Sequence, residues 1–291
     1  MLPSVRWFFV SAVFHYLGPA FAVLLFERVD VLGVAWLRIA AAAVVFAIWR
    51  RGRLRALLRD RLVLRWGLVL GLMNACFYEA ISRLPLGTVA AIEFLPVIVL
   101  AALGARTARN VQALGLAVAG VALLSHVELR AAPLGLAFAF ANALLFAAYI
   151  VCADRAVKRG LGLDALAAAM LVALVVVTPI GGRQAVGAFT DPVALAAGVG
   201  VGICSSVVPY VADQMALRAL DRATYALLMA LLPATACVIG IVVLAQLPTG
   251  AEAAGIGLVA AGVALRTRPG PAGARTRPGS RGRAHAGGRA G

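Results

Sequence analysis

The chain has 291 residues, of which 63% are hydrophobic and 13% are charged. Soluble domains carry about twice that charged fraction, so this composition excludes an ordinary soluble enzyme or binding domain and indicates a protein that crosses a membrane several times. The net charge of +15 does not indicate a nucleic-acid-binding protein, because the arginines lie between apolar segments rather than on one face of a soluble fold.

Apolar segments of membrane-spanning length follow one another along the chain. A helix needs about 20 residues to cross a hydrocarbon core of about 30 Å, so the chain has room for roughly ten crossings joined by short loops. Loop sequences separate the segments, among them RRGRLRALLRDR after the second and QLPTG before the tenth. The predicted spans are residues 7–26, 31–49, 62–81, 85–104, 110–127, 132–152, 164–180, 193–215, 223–245 and 250–265.

The basic residues indicate how these spans are oriented. Of the 27 lysines and arginines, 22 lie in the amino terminus, in alternate loops and in the carboxyl tail, whereas the other loops contain only Arg28, Arg83, Arg130 and Arg183. Because cytoplasmic loops carry the excess of basic residues, both termini are predicted to be cytoplasmic. The tail, residues 266–291, is predicted to be a disordered basic anchor, with contact to anionic lipid headgroups as the alternative.

Short sequences repeat in the same order in the two halves of the chain. The segment GLAVAGVAL at 115–123 recurs as GLVAAGVAL at 257–265, with seven of nine positions identical. Other matches between the halves, in chain order, are Gly67 and Gly71 with Gly198 and Gly202, Tyr78 with Tyr210, and Pro96 with Pro233. The glycine spacing lets two helices approach closely, either within the protomer, which we favour, or in a homodimer.

Five spans in each unit would insert the second unit upside down relative to the first. The predicted fold is therefore an all-α membrane protein with ten transmembrane helices arranged as two inverted five-helix repeats. The first repeat comprises residues 1–130, the second comprises residues 131–265, and the basic tail follows. Repeats of this kind recur in secondary transporters, where the substrate site lies near the membrane midplane between the two units.

Glu93 is an acidic residue in the middle of the fourth predicted span. An ionised carboxylate at that depth costs about 2.5 to 3.5 kcal/mol on insertion scales, so intramembrane acids are functional candidates by default. Three residues later, Pro96 cannot donate a backbone hydrogen bond, which predicts a kink, and Pro233 predicts another in the ninth span. Glu93 is suited to exchange a proton or to meet an ammonium group, and the alternative is a protonated or hydrogen-bonded structural glutamate.

Other polar residues inside the spans are weaker site candidates. Arg38 and Glu79 are expected at similar depth near the outer side, where a structural ion pair or snorkelling to the interface is favoured over contact with substrate. Asn74 and Tyr78 share one helix face and either line a polar cavity or tie helices together. The remaining candidates of this kind are Ser205, Tyr210 and His15.

Motifs typical of enzymes and metal sites are missing from the sequence. It contains no HExxH motif and no clustered histidines. The four cysteines lie singly, in or at the ends of apolar segments, without C-x-x-C pairs or histidines at metal-ligand spacing. We therefore expect that the protein is not an enzyme and that it binds no cofactor, no metal and no nucleic acid.

The five-plus-five arrangement, the arginine of VAWLRIAAAAVVF and the prolines of the fourth and ninth spans resemble the drug/metabolite transporter superfamily and its EamA-type permeases. Within it, GLMNACFYEAISRLPLGTVAAIEFLP resembles the threonine/homoserine exporter branch through its Met-Asn, Phe-Tyr, Pro-Leu-Gly and Glu-Phe pairs. Members of that branch often carry an acidic residue before the ninth-span proline. This chain has Leu232 there, so the resemblance does not extend to two symmetric carboxylates.

The resemblance implies a multi-pass exporter of small neutral or hydroxylated amino acids in the bacterial inner membrane, driven by proton antiport through Glu93. It carries over best to Arg38, Asn74, Tyr78, Glu93 and Pro96. The expected partners are a small-molecule substrate, protons and membrane lipid. The alternatives are an exporter of another small metabolite or of a cationic toxic compound, and a membrane assembly subunit that transports nothing.

Overall fold

The computed structural model describes residues 2–50, 52, 54–104, 107–212 and 232–267, and within these residues every regular element is helical. A short helical turn, Leu54–Leu57, lies in the Arg-rich loop. The longer helices are α1 (Leu2–Leu25), α2 (Val31–Trp49), α3 (Arg61–Ile81), α4 (Leu86–Gly104), α5 (Ala108–Ala131), α6 (Pro133–Lys158), α7 (Gly162–Val177), α8 (Pro192–Gly202), α9 (Leu232–Leu244) and α10 (Gly250–Thr267).

Six helical segments in the described part of the chain are long and apolar enough to cross a membrane. They are Val31–Trp49, Arg61–Ile81, Ala108–His126, Pro133–Lys158, Gly162–Gly182 and Pro192–Ala212. The shorter apolar helices are Phe9–Leu25, Leu86–Pro96, Leu232–Leu244 and Gly250–Leu265. The all-helical, multi-pass class predicted from composition is thereby confirmed. The end of the eighth predicted span, the start of the ninth and the tail beyond residue 267 lie outside the described residues.

Local sequence sets where the helices begin. Asp60 accepts a hydrogen bond from the backbone amide of Leu62 and caps α3, and Asp191 accepts from the amides of Val193 and Ala194 and caps α8. These caps satisfy amides that have no partner inside the helix. Pro96 lies inside α4 and Pro233 lies near the described start of α9, so both positions suit the predicted kinks, which stay predictions.

Both glycine pairs bring helices from opposite halves of the chain into contact. A Cβ atom on Gly67 would lie 2.4 Å from Val172 Cβ, and one on Gly202 would lie 2.7 Å from the backbone oxygen of Arg38. Only glycine allows such close approach. α3 therefore packs on α7 and α8 packs on α2, so the interpretation of these glycines as contacts within the protomer is confirmed.

The fifth helices of the two halves also pack on each other. α5 lies along α10, and a Cβ on Gly120 would lie 2.6 Å from the backbone oxygen of Gly255. The segments GLAVAGVAL and GLVAAGVAL are thus contacting surfaces of one helix pair. Two buried apolar clusters result, one joining α1 and α4 to α6 and α10, the other joining α2 and α3 to α7.

Candidate functional site

A cavity of about 190 Å³ lies between helices of the two halves, inside the bundle. Side chains from α1, α2, α3, α4, α6, α7 and the segment that begins with α8 line it. Six residues predicted as site candidates are among them: His15, Arg38, Asn74, Glu93, Ser205 and Tyr210. The structure therefore brings together polar side chains that are as far as 195 positions apart in the sequence.

Glu93 enters this cavity from α4 with only 8% of its surface exposed. The preceding residues Val89, Ala90, Ala91 and Ile92 are fully buried, so α4 has apolar neighbours around the acid. Asn142 of α6, which is also fully buried, donates a hydrogen bond from Nδ2 to Glu93 Oε1 at 3.1 Å. Burial disfavours the charged carboxylate, whereas this donor stabilises it.

Arg38 enters the cavity from α2 and is held by groups from two other helices. Its Nε donates to Ser206 Oγ at 3.3 Å, and its Nη2 donates to the backbone oxygen of Ser205 at 3.3 Å. The Arg38 guanidinium carbon lies 5.6 Å from the centre of the Tyr78 ring, within the range of a cation–π contact. These contacts fix a positive charge in the cavity, and Arg38 has further donors for a ligand.

The partners of Arg38 lie where α8 changes its hydrogen-bonding pattern. Residues Ile203–Val207 form a π-helical turn that continues α8, and such turns are frequent at functional sites. A Cβ on Gly18 would lie 2.5 Å from Ser205 Cβ, so α1 passes directly against this turn. The Ser205 hydroxyl donates to the backbone oxygen of Val201, and the backbone oxygen of Ser205 accepts from Arg38.

Two further polar positions lie in the wall of the cavity. Asn74 Nδ2 donates to the backbone oxygen of Ala35 at 3.0 Å and so ties α3 to α2. At another part of the wall, the hydroxyl groups of Tyr149 and Tyr210 are 3.2 Å apart. Trp66 packs against Tyr149 with ring centres 5.7 Å apart, so aromatic residues form this end of the cavity.

Two predicted site residues lie outside the cavity wall. Tyr78 is fully buried, and its ring lies beside the Arg38 guanidinium. The predicted pairing of Arg38 with Glu79 is wrong, because the Glu79 carboxylate pairs with Arg83, four residues later and just beyond the end of α3. The turn after α3 brings Arg83 back to Glu79, and Arg83 also donates to the backbone oxygen of Glu79, so this nearby arginine takes the carboxylate.

Comparison with known proteins gives relatives over most of the chain. The threonine/homoserine exporter RhtA of Salmonella typhimurium is 33% identical over 244 residues, which cover 81% of each chain. RhtA of Escherichia coli K12 is 32% identical over 253 residues, which cover 84% of each chain. Residues 133–268 also match the EamA-like transporter family. The chain belongs to this family.

A solved crystal structure shares the fold of this EamA-like protein. It covers 91% of this chain and 96% of its own, with a TM-score of 0.61 and 18% identity. The family membership confirms the resemblance inferred from MNACFYEAISRLPLGTVAAIEFLP, which includes Asn74, Tyr78 and Glu93.

Some cavity residues of this EamA-like transporter were not predicted from the sequence. Asn142, Ser206 and Tyr149 line the cavity and contact predicted site residues. Asn142 could have been predicted as a site residue, because it is the sole amide side chain in the apolar segment PLGLAFAFANALLF. Ser206 had no signal of its own, since its role depends on an arginine 168 positions away.

Proposed function

We propose that this protein is a secondary active transporter that exports small neutral or hydroxylated amino acids, of the threonine and homoserine kind, across the cell membrane in exchange for protons. The observation that carries the proposal is that one cavity between the helices contains both a buried acid, Glu93, and a partly buried guanidinium, Arg38. The names of the RhtA relatives support the same substrate class.

A neutral amino acid carries the two charges that this cavity complements. Its carboxylate can accept hydrogen bonds from Arg38, and its ammonium group can donate to Glu93. Each buried charge would then have a partner, which is the condition under which buried charges are tolerated. A cationic compound without a carboxylate would leave Arg38 without a ligand, so the charge pair favours an amino acid over the cationic alternative.

Proton antiport follows if Glu93 cannot bind a proton and a substrate ammonium group at once. A protonated carboxyl group is neutral and offers an ammonium group no ion pair, whereas an ionised one does. Binding of substrate would then release the proton, and protonation would release the substrate. The acid and the arginine both belong to the first half of the chain, and Leu232 stands before Pro233 in the second, so one carboxylate performs this exchange.

Alternating access would come from ten spans arranged as two inverted repeats, residues 1–130 and 131–265. The helix starts support this arrangement, because three in the second half lie 131 positions after their counterparts in the first. The pairs are Leu2 and Pro133, Val31 and Gly162, and Arg61 and Pro192. The same offset relates cavity residues Ile39 and Met170, and Asn74 and Ser205, which suggests that the cavity straddles the boundary between the repeats.

The basic residues support a location in the bacterial inner membrane with both termini cytoplasmic. In that orientation the Arg-rich loop around Leu54–Leu57 faces the cytoplasm and the anionic lipid headgroups. Efflux would then run from the cytoplasm to the outside, and protons would return inward.

The proposal is tested by measuring efflux from proteoliposomes that contain the purified protein. Vesicles are loaded with threonine, homoserine or a quaternary ammonium cation, and efflux is followed with and without an imposed pH gradient. We expect the gradient to accelerate efflux of both amino acids and to leave the cation inside. Gradient-driven efflux of the cation alone would contradict the proposal. Amino-acid efflux at the same rate with and without the gradient would also contradict it.

A further inference from the structure

Asn142 is the direct neighbour of the acid at the centre of the proposed transport site. Its side chain is fully buried, it comes from α6 in the other half of the chain, and its Nδ2 donates to Glu93 Oε1 at 3.1 Å. Its other amide atom, Oδ1, is also buried and has no hydrogen-bond partner among the described residues. A buried acceptor without a partner needs an explanation.

The two ends of an asparagine amide match the two protonation states of a carboxyl group. An ionised carboxylate only accepts hydrogen bonds and suits the NH₂ group, whereas a protonated carboxyl group donates through its O–H and suits the carbonyl oxygen. A half-turn of the amide about its terminal torsion exchanges these atoms. We propose that Asn142 is the positioning residue of the proton site, which donates to ionised Glu93 and accepts from protonated Glu93.

This inference rests on the proposed function, in which Glu93 gains and loses a proton in every cycle. A hydrogen-bond partner that stabilised only one protonation state of Glu93 would oppose the change to the other state. The other titratable or charged groups around the acid are His15 and Tyr16 from α1, Arg38 from α2, Tyr149 from α6 and Tyr210 beyond α8. Asn142 is the group among the described residues that donates a hydrogen bond to the carboxylate.

The test is the pH profile of threonine efflux from proteoliposomes for the wild type and Asn142→Leu. Leucine removes both the donor to the charged carboxylate and the acceptor for the protonated group. Because the bond to the charged form is the stronger of the two, the midpoint of the profile should move to higher pH by up to about one unit. Asn142→Asp keeps the size of the side chain and adds a second carboxyl group that shares a proton with Glu93, so its midpoint should also move to higher pH. Asn74→Leu removes a different cavity amide, and it should lower the rate without moving the midpoint.

Unchanged midpoints in Asn142→Leu and Asn142→Asp would overturn the role of Asn142. If those variants behave like the wild type while the wild type itself shows pH-driven efflux, only this inference fails. If the wild type shows no pH-dependent efflux at all, the proposed function fails first.

A second inference comes from two ion pairs outside the cavity. Arg28 Nη1 lies 3.2 Å from Asp191 Oδ2, and Arg159 Nη1 lies 3.6 Å from Asp60 Oδ2. The arginines are 131 positions apart, as are the aspartates, which is the offset that relates the helix starts. The pairs lie at opposite ends of α2, whose 19 residues span about 28 Å.

Each ion pair connects the end of a first helix to the third helix of the other half. The aspartates cap α3 and α8, the helices that contribute Asn74 and Ser205 to the cavity wall. We infer that the Arg28–Asp191 and Arg159–Asp60 pairs are matched latches that restrain movement of α8 and α3 relative to the other half on opposite sides of the membrane. The amide of Ala194 and the Arg28 guanidinium lower the pKa of Asp191, so its carboxylate stays charged while Glu93 titrates.

Such latches should bias the transport cycle without locking it. All four side chains are between 30% and 58% exposed, and exposed ion pairs are worth little, so each pair should bias an opening equilibrium by up to about fivefold. A contact that must break in every cycle needs to be weak. The matched positions would make the bias similar on the two sides.

Side-specific labelling tests the latches. Met73→Cys places a thiol in the cavity wall of a variant in which Cys76, Cys152, Cys204 and Cys237 are replaced by alanine. A membrane-impermeant maleimide is then added to right-side-out or inside-out vesicles. Arg28→Gln should raise labelling from one side by up to about fivefold, and Arg159→Gln should raise it from the other side.

The matched control is Lys158→Gln, which breaks an ion pair with Asp154 inside α6 and should change labelling on neither side. The latch role is overturned if both arginine variants raise labelling from the same side, or if neither changes it.

Discussion

Replacing Glu93 with glutamine is expected to abolish the acceleration of threonine efflux by a pH gradient, with a loss of at least about 100-fold in driven efflux. Glutamine has nearly the same size and can still accept the hydrogen bond from Asn142, so the bundle should fold. It binds no proton and forms no ion pair with an ammonium group. Loss of one partner from a buried charge pair costs about 3 to 5 kcal/mol, which corresponds to at least that factor.

Glu79→Gln is the matched control for this experiment. Glu79 is an acid in the neighbouring helix α3, but it pairs with Arg83 and does not line the cavity. Efflux by this variant should keep its dependence on the gradient. Wild-type behaviour of Glu93→Gln would mean that another group carries the proton.

Replacing Arg38 with methionine is expected to remove the recognition of the substrate carboxylate. Wild-type protein should bind threonine at least about 30-fold more tightly than threonine methyl ester, because the ester has no carboxylate to pair with the partly buried guanidinium. In Arg38→Met this preference should disappear, while the long methionine side chain fills much of the same space. Binding is measured by isothermal titration calorimetry on protein in detergent.

Arg50→Met provides the control for loss of an arginine. Arg50 donates to Asp164 at 2.6 Å near the end of α2, away from the cavity. This variant should keep the preference for threonine over the ester. If Arg38→Met still binds threonine more tightly than the ester, another group binds the substrate carboxylate.

The sequence predicts the helices of this protein well because hydropathy and loop composition depend on neighbouring residues. The predicted span 31–49 agrees with α2, and 62–81 agrees with α3 to within a residue. The caps Asp60 and Asp191 stand directly before their helices, where such residues are favoured. Membership of the EamA-like family could also be predicted from the sequence, because the residues that resemble the family lie in one continuous stretch.

Contacts between distant helices were harder to predict. An assigned topology gives the depth of a residue along its helix but not its direction around the helix axis. Depth alone therefore pairs Arg38 with Glu79, whereas the structure pairs Glu79 with Arg83 in the turn directly after α3. The contact between Asn142 and Glu93 depends on how α4 and α6 pack, which no local pattern encodes.

Proton release on substrate binding tests the central claim most directly, because it needs no gradient and no membrane. Threonine is added to detergent-solubilised protein in weakly buffered solution that contains a pH indicator, on the acid side of the efflux midpoint. If a proton and an ammonium group compete for Glu93, each bound threonine should release about one proton from the wild type and none from Glu93→Gln. Threonine binding to the wild type without proton release at any pH would contradict the account.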